Sequence, residues 1–338
     1  MLGLIARADD RGLGVMTLEV YRHLKPERVL VLDVPESPMP AHLDRYPGAT
    51  VVRWSPARPA IGDAVLRRFL EGLDTVYTAE TLYDPAVGQL AAELGVRVVL
   101  HAMPEFRRVW PGATTLEEWA PTPWRLDDFP PGTPVVPVPC AFPPPSSRPT
   151  TRHRLRVLHV AGNRAAADRN GTDVLRGALG KLNPDSRLEL TIAVQRGVRP
   201  ALGAVPRGVT VRFLEAVADR WELYADQDVL VMPRRYGGLC LPVQEAAAAG
   251  LALVMPDVLP NAWWPVLMFP APSTAGHLKT AAGMIPVAEP DDTALARLLE
   301  VLEADHDYLE HAQRRAYEWA ATHSWPALLP EYEARLRR

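Results

Sequence analysis

The sequence predicts an α/β protein made of two doubly wound domains with parallel sheets. Short β-branched runs alternate with amphipathic helical stretches, which is the pattern of βαβ units and parallel sheets. The alternation stops once, at a Pro/Ser/Thr-rich stretch near the middle of the chain, and then starts again. The chain of 338 residues also exceeds one typical domain, so we expect two domains of roughly 150 residues each.

In the first half, five apolar runs are typical of buried strands, and helical patterns lie between them. The stretch "FPPPSSRPTTR" at 142–152 has the composition of a linker. We therefore assign residues 1–145 to an N-terminal domain and residues 146–153 to a linker. The predicted strands cover residues 2–8, 28–33, 50–54, 75–80 and 96–102, and the predicted helices cover residues 13–24, 61–73 and 85–94.

The second half, residues 154–338, repeats the pattern and is assigned to a C-terminal domain. Both domains are expected to be Rossmann-like. In open α/β sheets ligands bind beyond the carboxyl ends of the strands, so we expect a ligand site in a cleft between the two domains. The predicted strands of this half cover residues 155–162, 187–194, 209–215, 228–233 and 251–256.

The composition is that of a soluble globular protein, with 48% hydrophobic and 23% charged residues and a net charge of −3. Neither half has a dense Lys/Arg run, which does not favour nucleic acid or an anionic membrane as a partner. No apolar run is long enough for a membrane span, and the N-terminus lacks a signal-peptide pattern. Cys140 and Cys240 give no support for a disulfide framework or a zinc site. We expect a cytoplasmic protein.

The turn after the first strand, "RADDRGLGVMTLEVYRHL", places Gly12 and Gly14 just before a helix. Glycines at such a turn let the backbone approach a ligand, and the free N–H groups of a helix N-terminus suit a phosphate. The full dinucleotide fingerprint is not present, because a third glycine is missing. A tight turn from strand to helix without any ligand explains the two glycines equally well.

The first strand of the second half leads into "AGNRAAADRNGTDVLRGAL". Arg164 and Arg169 lie in the loop before a helix that begins near Gly171. Both guanidinium groups could therefore reach one anion beside the positive helix end. Solvated loop arginines are the alternative interpretation.

The segment "YADQDVLVMPRRYGGLCLPVQEAAAAGLALVM" combines several features of a binding site. A strand ends at Pro233, Gly237 and Gly238 allow a close backbone approach, and a helix is predicted to begin at about Leu241. Glu245 is then expected within roughly the first turn, at the positive end of the helix. A solvated carboxylate that only compensates the helix dipole is the alternative.

This segment resembles the donor-site signature of retaining GT-B glycosyltransferases of the GT4 type, P-S-x-x-E-G-F-G-L-P-x-x-E-A-x-A-x-G. The loop "AGNRAAADRNG" is similar to the G-R-x5-K-G diphosphate loop of that family, with Asn170 where the lysine is expected. "LGVRVVLHAMPE" resembles the family's strand that ends in a cleft histidine, here His101. The variant "RYGGLCLP" also resembles glycosyltransferase-like proteins encoded by bacteriophages of actinobacteria. Matching positions are Pro233, Gly238, Leu241, Pro242, Glu245, Ala246, Ala248 and Gly250.

The resemblance implies a GT-B fold whose last helix, at about 325–337, packs back toward the N-terminal domain. It implies that the N-terminal domain is on the acceptor side and that the C-terminal domain binds the nucleotide-sugar donor. It implies a retaining transfer of a sugar from a UDP- or GDP-sugar to an unidentified acceptor. His101, Arg164 and Arg169 would be the catalytic residues, although a neutral structural histidine is the alternative for His101. Donor-binding residues would be Gly12, Gly14, Asn170, Arg234, Gly237, Gly238, Leu239, Cys240, Leu241 and Glu245.

No cofactor or metal is expected, because arginines and helix N-termini can neutralise the charge that a cation would otherwise neutralise. The stretch Asp226–Asp228 imitates a metal-binding D-x-D motif, but it precedes its strand, and we interpret it as a solvated turn. One departure from the family pattern is Gly237, which replaces the first glutamate of an E-x7-E pair. A non-catalytic nucleotide- or glycan-binding protein, or a sugar-nucleotide epimerase of the same fold, is therefore an alternative.

Overall fold

A computed structural model describes residues 1–9, 11–37, 41–144, 154–162, 168–194, 199–215, 217 and 219–338. The predicted linker, residues 146–153, lies outside these ranges. The chain divides into two compact units. Unit 1 contains Met1–Pro139, Thr280–Ala282 and Trp325–Arg338, and unit 2 contains Cys140–Lys279 and Gly283–Ser324.

Strands and helices alternate along most of the described chain. Within that part, no helix is both long and apolar enough to cross a membrane. The strands are β1 (Leu2–Arg7), β2 (Arg28–Asp33), β3 (Thr50–Arg53), β4 (Thr75–Ala79), β5 (Arg97–His101), β6 (Leu116–Trp119), β7 (Leu155–Gly162), β8 (Leu188–Val194), β9 (Thr210–Leu214), β10 (Val229–Val231), β11 (Ala252–Pro256), β12 (Leu267–Phe269), β13 (Ser273–Thr280) and β14 (Gly283–Glu289). The helices are α1 (Gly12–Leu24), α2 (Asp63–Leu70), α3 (Ala86–Glu93), α4 (Thr172–Leu179), α5 (Leu241–Ala248), α6 (Asp292–Ala304), α7 (His306–Thr322) and α8 (Trp325–Leu336).

Unit 1 is a doubly wound domain around a six-stranded sheet with the order β3-β2-β1-β4-β5-β6. Its strand pairs are parallel, and the five strands predicted in the first half are confirmed. The sequence analysis missed β6, a short and only partly buried strand. The strand order reverses between β1 and β4, so a crevice is expected at the carboxyl ends of these two strands.

Unit 2 repeats this architecture with a second six-stranded sheet, in the order β12-β11-β10-β7-β8-β9. Its strand pairs are also parallel, and the five strands predicted in the second half are confirmed. The strand order reverses between β10 and β7. The strands β13 and β14 form a separate two-stranded sheet that the sequence analysis did not predict.

The C-terminal helix α8 belongs to unit 1 and is held there by polar and aromatic contacts. Tyr332 donates a hydrogen bond of 2.9 Å to the carbonyl of Pro137, and its ring lies 5.7 Å from that of Trp119. Arg337 binds Glu27 at 2.8 Å. These contacts tie the last helix to the strand and loop segments of the first 139 residues.

His101 lies in an aromatic cluster inside unit 1. The ring is completely buried, and its Nδ1 atom is 2.9 Å from the hydroxyl of Tyr77. The ring of Trp119 lies 6.0 Å away in an edge-on arrangement. Burial lowers the pKa of His101 to about 3, and the backbone of Val136 opposes this only in part. The ring is therefore neutral at physiological pH.

Two loops of unit 2 touch where α4 begins. Gly171 precedes α4 with a left-handed φ of 73°, and a β-carbon at this position would overlap the backbone carbonyl of Pro233. The buried ring of His159 joins the same elements, because Nδ1 lies 2.9 Å from the carbonyl of Val231 and Nε2 lies 2.9 Å from the hydroxyl of Thr172. Since a carbonyl can only accept, Nδ1 carries a proton and donates to Val231.

Gly171→Ala is expected to destabilise unit 2 more than an alanine at another left-handed glycine. Gly203 is the matched control, because its φ is 71° and a β-carbon there would meet nothing within 4 Å. We expect a loss of about 1 kcal/mol for Gly203→Ala from backbone strain, and about 2–4 kcal/mol for Gly171→Ala, where overlap adds to that strain. Urea unfolding followed by circular dichroism measures both, and equal losses would contradict the close approach.

His101→Gln is expected to weaken the dependence of stability on pH. The folded-state pKa of His101 is about 3, and that of an unfolded histidine is about 6.5, so the unfolded state binds the extra proton as the pH falls. The stabilisation is complete above pH 6.5, and about 2 kcal/mol of it is lost between pH 7 and pH 5. Chemical unfolding at both pH values measures the loss, which we expect to be smaller in the variant. An identical loss in both proteins would mean that the folded ring takes up a proton.

Candidate functional site

The site is the carboxyl edge of the sheet of unit 2, at the point where the strand order reverses between β10 and β7. The helix α4 begins just after β7, and α5 begins just after β10, so two helix N-termini meet at this edge. Arg164 lies outside the described residues. The sequence-predicted residues that the structure brings to this edge are Arg169, Asn170, Arg234, Gly237, Gly238, Leu239, Cys240 and Leu241, with Glu245 farther along α5.

The N-terminus of α4 is occupied by a carboxylate of the chain itself. The two oxygen atoms of Asp168 accept from the backbone N–H groups of Thr172 at 3.0 Å and Asp173 at 2.7 Å. Asn170 donates from Nδ2 to the carbonyl of Val160 at 2.9 Å. Because Asp168 already neutralises the helix end, the arrangement does not favour the anion predicted beside α4, and Asn170 holds the loop against β7.

The N-terminus of α5 differs, since no side chain caps it. Among the described residues, the backbone N–H groups of Leu239, Cys240 and Leu241 donate to no acceptor. Pro242 occupies the second helical position, as the sequence predicted for the start of this helix. Three consecutive N–H groups at a positive helix end are well suited to an oxyanion.

Two guanidinium groups lie against Gly237. Its φ is 117°, and a β-carbon there would overlap the guanidinium atoms of Arg169 and Arg234. Arg234 is 3% exposed and donates to the carbonyls of Gly238 at 3.3 Å and Leu239 at 2.9 Å. Arg169 also lies over the ring of Tyr236, at 5.5 Å from its centroid. The place of the missing glutamate is therefore taken by positive charge.

Backbone hydrogen bonds hold the arginine-bearing loops together. The N–H of Arg235 donates to the carbonyl of Arg169 at 2.9 Å, and the carbonyl of Arg235 accepts from Ala288 at 3.0 Å. The side chain of Arg235 lies 3.7 Å from the carboxylate of Glu289. Arg169, Arg234 and Arg235 are thus held in place by backbone groups of the loop before α4, the loop before α5 and strand β14.

Glu245 is the fifth residue of α5 and so lies at the start of its second turn, close to the position expected from the sequence. Tyr224 donates to its Oε2 atom at 2.7 Å, and Nε of Arg220 lies 3.7 Å from Oε1. Burial and the adjacent carboxylate raise the pKa of Tyr224 well above its usual value, so the phenol keeps its proton. The carboxylate is only 13% exposed, which excludes the solvated alternative.

Tyr224 and Arg220 were missed by the sequence analysis, because neither belongs to a motif and both lie more than twenty residues before Glu245. Asp168 was also missed, although an acid just before a predicted helix start is a typical capping signal.

The stretch Asp226–Asp228 is not simply a solvated turn, which corrects the sequence analysis. Asp228 is completely buried and forms an ion pair of 3.2 Å with Arg156 in β7. Its Oδ2 atom also accepts from the backbone N–H of Arg156 at 3.0 Å. Asp226 is exposed and lies 3.6 Å from the same guanidinium. The described residues contain no group of three or more His, Cys, Asp or Glu that could hold a metal ion.

Three predicted site residues lie in unit 1 instead. Gly12 is the first residue of α1, and Gly14 packs so closely that a β-carbon would overlap the carbonyl of Asp9. Oδ1 of Asp9 lies 3.0 Å from the place of that β-carbon, so this helix end also has a carboxylate beside it. The tight-turn interpretation is favoured for both glycines. Complete burial likewise favours the structural alternative for His101, since a contact with a sugar requires an accessible ring.

Solved structures with the same architecture cover almost the whole chain. The Anabaena protein HepE, in complex with UDP and glucose, is 13% identical with a TM-score of 0.65, over 99% of each chain. An Escherichia coli structure described as trehalose-6-phosphate bound with UDP-2-fluoro glucose is 11% identical with a TM-score of 0.64, over 100% of this chain and 99% of that one. MurG of Acinetobacter baumannii is 16% identical with a TM-score of 0.55, over 99% of each chain.

A family model covers the part of the chain that carries the site. Residues 155–263, about a third of the chain, match the family described as glycosyl transferases group 1. This range runs from β7 through α5 and includes Asp168, Arg169, Arg234 and Glu245. A comparison with curated proteins finds no match. The chain therefore has the GT-B fold, and its residues 155–263 match the family model of glycosyl transferases group 1.

Proposed function

We propose that the protein is a glycosyltransferase that moves a sugar from a nucleotide-diphosphate sugar to an acceptor hydroxyl. The observation that carries this proposal is the combination of an uncapped helix N-terminus, clustered arginines and a buried carboxylate at one sheet edge. These three features suit the diphosphate, its charge and the ribose of a nucleotide. They lie within the range that matches the family model.

The diphosphate would bind at the start of α5. The N–H groups of Leu239, Cys240 and Leu241 are oriented groups that need no rearrangement to meet an oxyanion. Arg169, beside Gly237, would supply a full positive charge as negative charge grows on the departing diphosphate. Arg164, which the resemblance places in the same role, remains a proposal from the sequence.

The ribose would bind at Glu245. Its Oε2 atom is already held by Tyr224, so the carboxylate has a fixed orientation before the ligand arrives. A carboxylate accepts hydrogen bonds from two neighbouring hydroxyls, as a ribose 2′,3′-diol presents. Diphosphate and ribose would then be recognised by the start and the second turn of a single helix.

The replacement of the family's first glutamate by Gly237 would change the surroundings of the donor sugar. Where the resembling family has a carboxylate, guanidinium groups of Arg169 and Arg234 fill the space, so the donor sugar would meet positive charge. The arginines would also neutralise the diphosphate in place of a metal ion.

Retention of the anomeric configuration is proposed from the resemblance to the GT4 type. UDP-sugars are the first donors to test, because two similar structures contain UDP or a UDP-sugar.

A nucleotide panel tests the function. We expect UDP or GDP to raise the melting temperature, and the matching nucleotide sugar to release its nucleotide faster when an acceptor is present. Thermal shift with UDP, GDP, ADP and their sugars measures the first effect, and a coupled nucleotide-release assay measures the second. Binding without turnover toward any acceptor would instead indicate a non-catalytic binding protein. Stabilisation by none of the nucleotides would refute the proposal.

Glu245→Gln is expected to weaken binding of the preferred nucleotide about 10- to 100-fold, because a hydrogen bond to a charged group contributes about 1.5–3 kcal/mol. Glu222→Gln is the matched control, since Glu222 is an exposed acid in the same domain, two residues before Tyr224. Isothermal titration calorimetry with the nucleoside diphosphate gives both dissociation constants. If both variants bind as tightly as the wild type, Glu245 does not contact the ribose.

A further inference from the structure

Unit 2 contains a polar cavity at the amino edge of its sheet, opposite the carboxyl edge that carries the proposed nucleotide site. This amino-edge cavity has a volume of about 390 Å³. Sites for small molecules typically measure roughly 300–1,000 Å³, so the cavity is large enough for one such ligand. Its charged and polar lining comes from the early parts of β7, β8 and β9 and from the turn before β10, namely Arg156, Glu189, Thr191, Arg212, Asp226 and Gln227.

The strand register places the polar side chains of the lining on one face of the sheet. Glu189 lies beside Arg156 of β7, and Thr191 lies beside Arg212 of β9. Because successive side chains of a strand point to opposite faces, Leu190 faces the other way, where it is 1% exposed in the hydrophobic core. The amino-edge cavity therefore has charged and hydroxyl groups on its walls, and the core lies behind the sheet.

Two exposed side chains of opposite charge line this cavity without pairing. Among the described residues, Glu189 and Arg212 form no ion pair with each other or with any other side chain. The Nε atom of Arg212 donates at 2.7 Å to the hydroxyl of Thr191, which is only 2% exposed. This hydrogen bond anchors the guanidinium to the sheet. A ligand that carries both a positive and a negative group would therefore meet a partner for each.

The side of the cavity next to β7 is more acidic. Arg156 forms an ion pair of 3.2 Å with Asp228 and lies 3.6 Å from the carboxylate of Asp226. The carboxylate of Asp226 is 68% exposed and so is open to a ligand. Together with Glu189 and Arg212, this group has three negative and two positive charges, which leaves a net charge of −1. A ligand of net charge +1 would neutralise it.

These charges argue against several classes of ligand. A phosphate would meet the carboxylates of Glu189 and Asp226, and a polyamine would meet the guanidinium of Arg212. Nucleobases bind largely by stacking on aromatic rings, and within the described chain no aromatic residue lines the cavity. A basic amino acid has an α-carboxylate, an α-ammonium and a side-chain cation, so its net charge of about +1 matches the cavity.

We propose that the amino-edge cavity binds a free basic amino acid, lysine or arginine. The α-carboxylate would bind the guanidinium of Arg212, the α-ammonium would bind Glu189, and the side-chain cation would bind Asp226. Hydrogen bonds between charged groups are stronger than neutral ones, so three such contacts give both affinity and orientation. The proposal does not rest on the transferase function, because it uses neither the carboxyl edge of the sheet nor a nucleotide.

A series of ligands tests the proposal on the wild-type protein without any nucleotide. Isothermal titration calorimetry is carried out at low ionic strength, because salt screens contacts between exposed charges. The probes are L-lysine and L-arginine, L-norleucine, which lacks the side-chain ammonium of lysine, and cadaverine, which lacks its carboxylate. We expect saturable binding of lysine or arginine, and binding about tenfold weaker or worse for norleucine and for cadaverine.

Glu189→Gln and Arg212→Gln test the two ends of the site. Both residues are exposed, so the fold should tolerate the changes, and circular dichroism checks this. The matched controls are Glu318→Gln and Arg315→Gln, which remove the same charges from exposed positions on α7. We expect both site variants to bind the amino acid about tenfold more weakly or worse, and both controls to bind it like the wild type.

Four results would overturn the proposal. The first is no saturable binding of lysine or arginine to the wild type, as expected for charges that are only solvated. The second is equal binding of norleucine or cadaverine, since one end of the ligand would then make no contact. The third is unchanged binding in both site variants, which would place the amino acid elsewhere. The fourth is tighter binding of guanosine or inorganic phosphate than of either amino acid.

Discussion

The close approach of two loops at Gly171 and Pro233 is the constraint on which the site of unit 2 depends. Because Gly171 has no β-carbon, the loop after β10 can reach the start of α4. The hydrogen bond from Arg235 to Arg169 then fixes the two loops in register. The guanidinium of Arg169 consequently lies on Gly237 rather than in solvent, and side chains that are 65 or more residues apart in the sequence form one surface.

Capping explains why two neighbouring helix ends at this edge differ in chemistry. Asp168 accepts from the first N–H groups of α4, so that end carries its own negative charge. At α5, proline occupies the second position and no side chain caps the helix. A bound oxyanion would therefore accept hydrogen bonds from the uncapped N–H groups at the start of α5. At α4 it would have to displace a carboxylate of the same chain.

The alternation of strands and helices could be predicted because buried parallel strands are short, continuous apolar runs. The start of α5 was also predictable, since proline and the preceding glycines determine it locally. The partners of Asp228 and Glu245 could not be predicted, because Arg156 and Tyr224 reach them only after the sheet has formed. The complete burial of His101 could not be predicted from the sequence for a similar reason. A strand sequence does not say which side chains of neighbouring strands, here Tyr77 and Trp119, will surround a given residue.

The two sheet edges at which strand order reverses have opposite chemical characters, although the folds around them are alike. In unit 1 the side chain of Arg7 is paired with Asp9, so the pair carries no net charge. In unit 2 the arginines surround a glycine at the point where the resembling family has a carboxylate, so an anion is favoured. The pairing of Arg7 with Asp9, and the absence of a carboxylate at Gly237, account for this difference in charge between the two edges.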